Sequence, residues 1–296
     1  MVIPPYLKKG DKVALVAPAR KMSAAELEPA IQTIGQWGFE PVLAPNVYGS
    51  YNQFSGTDEE RCADMQWALD NPDIKAVIAI RGGYGCLRIV DALNLVSFTR
   101  HPKWVVGYSD ITAFHSAIHT KTNVCTLHAT MPVNFDKHEK ATKSLYNALT
   151  GQGNTYHFAD ETLRPANSDG VLVGGNLSLL YAMIGTPTDI DTNGKILFIE
   201  DLDEYLYHID RMMLTLKRAG KLANLKALVV GSFTEMKDNT IAFGKNAREI
   251  ICDAVKEYTY PVYFNFPAGH QDANKAMVFG AECTLEITGG EVVFYQ

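Results

Sequence analysis

Four short segments of this 296-residue chain carry side chains suited to chemistry. The first is Val105-Val106-Gly107-Tyr108-Ser109-Asp110-Ile111-Thr112. A strand ending at Tyr108 and a helix starting at about Asp110 put Ser109 on the tight turn between them. That is the place of a nucleophile elbow, with the hydroxyl facing solvent at the carboxyl edge of a sheet. Gly107 permits the close approach, but Ile111 stands where the second glycine of G-x-S-x-G belongs. Taken locally, Ser109 reads more readily as a helix N-cap, with Thr112 in the first turn.

The second segment, Ala79-Ile80-Arg81-Gly82-Gly83-Tyr84-Gly85, follows an apolar run. Adjacent glycines let backbone N–H groups point into a cleft, which suits an oxyanion or a phosphate. It lacks a P-loop lysine and the full dinucleotide spacing, which argues against nucleotide binding. The third segment, Ile196 to Asp201, is a buried strand ending in Glu200 and Asp201; acids at a strand's carboxyl end face a cleft, or here form a charge pair at the start of the next helix. The fourth, Phe266-Pro267-Ala268-Gly269-His270, puts a histidine in a loop, where a plain solvated residue is the commoner outcome. His115 and His119 lie four apart on one predicted helix but have no HExxH and no carboxylate partner, and are read as helix-surface residues rather than metal ligands.

Around these segments strands and helices alternate. The run 12–17 reads as a buried strand, Ser23 as the N-cap of a helix closed by Gly38, and 58–70 as a second helix with acids in its first turn. The run 75–80, a third helix over Leu87–Leu95, the strand before Ser109 and a helix after it continue the pattern, which argues a largely parallel sheet covered on both faces. Between about 136 and 169 the periodicity fades into polar and turn residues, read as a domain junction. Beyond it come the strand 194–201, a helix over about 204–219, the strand 225–233, a helix near 245–257, a short strand at 261–265 and a closing hairpin turning at Gly289-Gly290. The expected units are an N-terminal α/β domain over 1–140 containing Ser109, a linker over 141–168, and a C-terminal α+β domain over 169–296 containing Glu200 and His270.

Composition bounds the rest. With 47% hydrophobic and 20% charged residues and a net charge of -6, the chain reads as a soluble globular protein without the basic face that nucleic-acid binding requires. The N-terminal segment lacks a signal-peptide core and no apolar stretch approaches the roughly 20 residues that span a bilayer, so neither export nor a membrane partner is expected. Five cysteines, without a CxxC pair, suggest neither a disulfide framework nor zinc and fit a reducing cytoplasm. Cys86 reads as a small buried hydrophobe rather than a nucleophile. Trp37, Trp67 and Trp104 read as core.

Taken in order, GDKVALVAP, FSGTDEERCADMQWAL, AIRGGYGCLRIVD, VVGYSDITAFH, GGNLSLLYAMIGTP, ILFIEDLDEYLYHIDRMMLTL and FPAGHQDANKAMVFGAE resemble the successive motifs of the LD-carboxypeptidase family, peptidase family S66, over nearly the whole chain. The resemblance implies a flavodoxin-like or amidotransferase-like N-terminal domain, a smaller β-rich C-terminal domain, a homodimer, and a cytoplasmic serine carboxypeptidase. Such enzymes remove terminal D-alanine from recycled murein tetrapeptides or muropeptides, with meso-diaminopimelate or lysine as the third residue. It implies Ser109, Glu200 and His270 as a catalytic triad, backbone amides of Gly83 and Asp110 as oxyanion donors, and no metal or organic cofactor. Family members often carry His-Gly-Pro-Met where this chain has His128-Ala129-Thr130-Met131, a departure that falls on substrate contacts. Two alternatives stand beside this reading: a microcin-immunity-type hydrolase of peptidyl or aminoacyl adenylates, for which no aromatic insertion is evident, and a non-catalytic small-molecule binding module in which Ser109 is only a cap.

Overall fold

Strand β1 (Lys12–Val16), helix α1 (Ala24–Gln36), β2 (Glu40–Leu43), α2 (Asp58–Asp70) and β3 (Ile74–Ala79) alternate, followed by α3 (Val96–Arg100), β4 (Trp104–Gly107), α4 (Thr112–Thr122) and β5 (Thr126–His128). In the computed structural model, which describes residues 1–296, these strands pair in parallel in the order β2-β1-β3-β4-β5. This is the flavodoxin-like order, which leaves a crevice beyond the carboxyl ends of β1 and β3, where the order of strand addition reverses. The runs that form β1, β3 and β4 are almost wholly buried, as expected of strands covered on both faces. Ser23 and Thr57 begin α1 and α2 as reciprocal capping boxes with Glu26 and Glu60, which satisfies otherwise orphaned N–H groups and fixes where each helix starts.

The second half supplies α5 (Glu139–Thr150), β6 (Thr155–Ala159), β7 (Ser168–Asn176), α6 (Leu177–Met183), β8 (Ile196–Leu202), α7 (Leu206–Arg218), β9 (Ala227–Thr234), α8 (Ala247–Ala254), β10 (Val262–Tyr263), β11 (Met277–Phe279), β12 (Glu282–Thr288) and β13 (Glu291–Tyr295). Its sheet runs β10-β9-β8-β7-β12-β13-β6, parallel from β7 to β10 and antiparallel through the closing hairpin to β6. Thus a parallel-dominated N-terminal sheet and a β-rich C-terminal sheet coexist. A continuous apolar core joins them, containing Val106 and Ile111 of the first half together with Leu177, Leu197 and Ile199 of the second. No helix is long and apolar enough to cross a membrane.

Three local expectations change. The helix expected over Leu87–Leu95 is only two short 3-10 turns, Cys86–Arg88 and Val90–Ala92, followed by α3. The backbone pairs i to i−3, Ile89 N–H to the Cys86 carbonyl and Leu93 N–H to the Val90 carbonyl, and Ile89 at φ of -120° separates the two turns, while the Cys86 N–H donates to the Asp110 carboxylate. The stretch 141–168, expected as a linker, holds most of α5 and all of β6. The buried face of α5 uses Ala141, Thr142, Ser144 and Ala148 beside Leu145 and Leu149; small and polar residues at core positions conceal a helical period. Finally, β11 leaves the C-terminal sheet and pairs antiparallel with β5 at the edge of the N-terminal one.

Candidate active site

Ser109 occupies the turn between β4 and α4 with φ of 63°, a left-handed conformation that costs a non-glycine residue on the order of 1–3 kcal/mol and persists only where its surroundings enforce it. Gly107, at φ of 154°, lies against Ile111: a Cβ there would be 2.7 Å from Ile111 Cγ1. The glycine therefore makes room for the isoleucine that stands where G-x-S-x-G would have its second glycine. The N-cap of α4 is Ile111, without a side-chain bond, so Ser109 is not the cap. Its Oγ instead lies 3.0 Å from His270 Nε2.

His270 comes from the loop after β10, and Glu200 from the carboxyl end of β8. The His270 Nδ1–H donates to Glu200 Oε2 at 2.6 Å and the His270 backbone N–H to the same oxygen at 3.2 Å, leaving Nε2 to accept the Ser109 hydroxyl proton. Gly269 makes this approach sterically possible. Its φ is 111°, and an added Cβ would sit 2.5 Å from Ser232 Oγ and 2.8 Å from Glu200 Cβ. Gly269→Ala is therefore expected to shift His270 and lower kcat about 10²-fold, the cost of a misplacement of about 1 Å, with a lower melting temperature. Unchanged kcat with an unchanged melt would mean that the loop is not held this tightly.

The two carboxylates ending β8 serve different ends. Glu200 is fully buried and turns toward His270. Asp201 turns toward α6, accepting from Asn176 Nδ2 at 2.9 Å and from the Ser178 N–H and hydroxyl at 3.0 and 2.8 Å. Burial first, and the neighbouring Glu200 charge second, push its pKa up to about 6. Burial of the His270 ring opposes its protonation, but Glu200, by charge and by hydrogen bond, with Asp201 and Glu235 behind it, outweighs that and holds the imidazole above its ordinary value. The Tyr108 ring packs 5.0 Å from the His270 ring, and its hydroxyl, which accepts from Asn134 Nδ2 at 2.9 Å, is pushed by burial to about 12 and stays protonated.

The glycine loop after β3 meets the elbow. A Cβ on Gly82 would lie 3.4 Å from Ser109 Oγ, and the Gly83 N–H has no backbone or side-chain acceptor in the chain. The loop is pinned from behind. The buried Asp110 carboxylate accepts the Cys86 N–H at 2.8 Å. The buried Arg61 guanidinium donates to the carbonyls of Pro18 and Gly85 and pairs with Asp58. Cys86 is fully buried, and burial followed by the Asp110 charge pushes its thiol well up, against a thiolate role.

The histidines outside this row are core residues. His115 and His119, expected on a helix surface, are buried, because α4 is covered on nearly every side; burial lowers them to about 4 and about 3. His128 is buried and likewise lowered to about 3. Its Nε2 lies 3.2 Å from Asn274 Oδ1, which also accepts the Gly269 N–H at 2.9 Å. A neutral His128 thus braces the loop that carries His270. No three His, Cys, Asp or Glu side chains converge as metal ligands do.

The row opens on a cleft of about 450 Å³ lined by Arg20, Arg81, Gly82, Gly83, Tyr108, Met131, Asn134, Asp203 and Glu204 among others. A second hollow of about 340 Å³ near the chain termini, walled by Met1, Tyr6, Val278 and Gln296, offers no histidine or serine. Of the residues singled out by sequence, Ser109, Glu200 and His270 come together, and Gly83 and Asp110 flank them. Residue type and spacing give no cue for Arg20 or Asn274; for Arg81 the cue is an arginine directly after a strand and before Gly-Gly.

A serine on a strand–helix elbow, met by a histidine and a buried carboxylate from a second sheet, has the arrangement of a hydrolase cleft. The chain belongs to the LD-carboxypeptidase family: the family's N-terminal domain matches residues 13–129 and its C-terminal domain residues 169–285. It is 34% identical to a probable murein peptide carboxypeptidase of Bacillus subtilis, over 95% of this chain and 91% of that one. It is 28% identical to the murein tetrapeptide carboxypeptidase of Pseudomonas aeruginosa, over 93% of each. The muramoyltetrapeptide carboxypeptidase of Oxalobacter formigenes superposes with a TM-score of 0.86 at 28% identity, covering 96% of this chain and 98% of that one. A microcin C7 self-immunity protein, solved with aspartyl sulfamoyl adenosine, shares the fold with a TM-score of 0.89 at 19% identity, covering 100% and 99%.

Proposed function

We propose that this protein is a serine carboxypeptidase that hydrolyses the bond to the C-terminal D-alanine of murein tetrapeptides. The observation that carries the reading is the hydrogen-bonded row from Ser109 Oγ through His270 to Glu200, in a chain whose family and murein-peptide relatives match nearly end to end. The matched family domains also support a division near residues 140–168.

In this reading His270 Nε2 takes the hydroxyl proton as Ser109 Oγ attacks the carbonyl that precedes D-alanine. The charge that develops on the carbonyl oxygen is met by the N–H groups of Gly83 and Asp110, each worth roughly 3–4 kcal/mol in comparable enzymes. Protonated His270, steadied by Glu200, then gives its proton to the departing amine, which frees D-alanine and leaves an acyl group on Ser109. Water, deprotonated by His270, hydrolyses that ester and restores the serine.

A carboxypeptidase recognises a free terminal carboxylate. A tetrapeptide ending in D-alanine is therefore expected to be cleaved at least about 10-fold faster than its C-terminal amide, because a charge-assisted contact is worth more than a tenfold change in rate. Mass spectrometry of the products reads both rates. Equal rates, or hydrolysis confined to an aminoacyl adenylate conjugate, would reject the reading.

A further inference from the structure

Two guanidinium groups face the cleft without an anion of their own. Arg20, in the loop after β1, makes no side-chain hydrogen bond or ion pair, and Arg81, directly after β3, makes only one long bond, from Nη1 to the Lys21 carbonyl at 3.3 Å. Arg61 and Arg88, by contrast, meet Asp58, and Arg248 meets Glu161; Arg100, Arg211 and Arg218 also lack an anion but do not line the cleft. The acids of the opposite wall are already engaged. Asp203 pairs with Lys237 at 2.5 Å, and Glu204 accepts from Ser178 Oγ at 3.1 Å and pairs with His208.

The arginines also stand where a leaving group ends. The Arg20 alkyl chain crosses Gly83, where a Cβ would fall 2.6 Å from its Cγ and Cδ, and Gly82 touches Ser109. In a peptide, the terminal carboxyl carbon lies three bonds, within about 4 Å, of the carbonyl carbon that is attacked. The Arg20 stem thus lies over the loop that meets the nucleophile, along the cleft into which a terminal carboxylate would extend. A guanidinium presents parallel donors in a fixed fork that matches a carboxylate, and its charge persists at every working pH.

We propose that Arg20 and Arg81 form the clasp for the substrate's terminal carboxylate and thereby restrict cleavage to the last residue. This deepens the proposed function and rests on it for the identity of the substrate. It does not rest on it for the binding chemistry.

The test uses the full chain carrying Ser109→Ala, so that peptides bind without turnover, and isothermal titration calorimetry with a D-alanine-terminated tetrapeptide and its C-terminal amide. The parent is expected to favour the acid. Arg20→Gln and Arg81→Gln are each expected to weaken acid binding about 10- to 100-fold, the worth of a charge-assisted bond, and together to bring the acid-to-amide ratio near one. Arg20→Lys and Arg81→Lys, which keep the charge and lose the fork, should give intermediate ratios and replace any glutamine variant that melts early. An acid preference retained in the double variant, an equal loss for both peptides, or no preference in the parent would overturn the clasp. If wild-type protein releases no D-alanine while the acid preference still depends on the arginines, the substrate assignment falls and the clasp stands.

Discussion

Ser109→Ala and His270→Ala are each expected to lower kcat by about 10⁴-fold or more, and the double variant is expected to be little worse than either single one. The reason is the single hydrogen bond of 3.0 Å between Ser109 Oγ and His270 Nε2. Without the imidazole the hydroxyl has no acceptor for its proton, and without the hydroxyl the imidazole has nothing to activate. Either change removes the same proton transfer, so the second has little left to remove. Independent contributions would instead multiply to about 10⁸. Both substitutions shorten side chains at the rim of the cleft, and circular dichroism should show the fold retained.

Glu200→Gln is expected to cost about 10⁴-fold in kcat, as an acid-to-amide change does where a carboxylate orients a catalytic histidine. The geometry gives two routes to that loss. Glu200 Oε2 receives both the Nδ1–H and the backbone N–H of His270, while Oε1 is buried with no partner. A glutamine that keeps its oxygen on His270 puts an amide NH2 at the buried Oε1 position, which makes no hydrogen bond in the structure; a donor left unpaired there costs about 1–3 kcal/mol. One that flips presents NH2 to Nδ1 and forces the tautomer whose Nε2 carries a proton and cannot take one from Ser109. In both cases the charge facing imidazolium is gone. The pH dependence follows with a definite sign. Burial lowers the His270 pKa, and Glu200, by charge and hydrogen bond, with Asp201 and Glu235 behind it, together outweighs burial, so the group lies above its ordinary value in the native protein. Activity needs the neutral ring; kcat/KM should therefore rise through a pKa above 6.5, and in Glu200→Gln that acid limb should move to lower pH. A limb that stays in place would show that Glu200 does not govern the histidine. The same coupling stabilises the fold fully below the ordinary histidine value and is lost as pH rises through the raised one.

Much of this arrangement was legible in sequence because its parts sit at strand ends. Apolar runs 75–80, 104–107 and 196–199 announced strands, and Gly83, Ser109 and Glu200 each lie just beyond one of them, at the carboxyl ends where α/β sheets open their crevices. Other features depended on contacts between distant segments. The helix expected over Leu87–Leu95 breaks at Ile89, whose φ of -120° is not helical, and the start of the segment is tied to Asp110, 24 residues beyond the Cys86 whose N–H it accepts. His115 and His119 looked like surface residues because helical spacing does not reveal that α4 is covered on nearly every side. His128 and Asn274, 146 residues apart, meet only because β11 crosses to the first sheet. The left-handed backbone at Ser109 could not be read from Gly107 alone, since Ile111 breaks the familiar glycine pattern and the structure accommodates it from the other side.

The most direct test of Ser109 and His270 as one catalytic unit is the rate of D-alanine release from a single murein tetrapeptide by four proteins: wild type, Ser109→Ala, His270→Ala and the double variant. The expected result is release by the wild type and losses of about 10⁴-fold or more in all three variants, with the double variant close to the singles. Losses that multiply in the double variant, or a wild type that leaves the terminal D-alanine in place, would contradict the account.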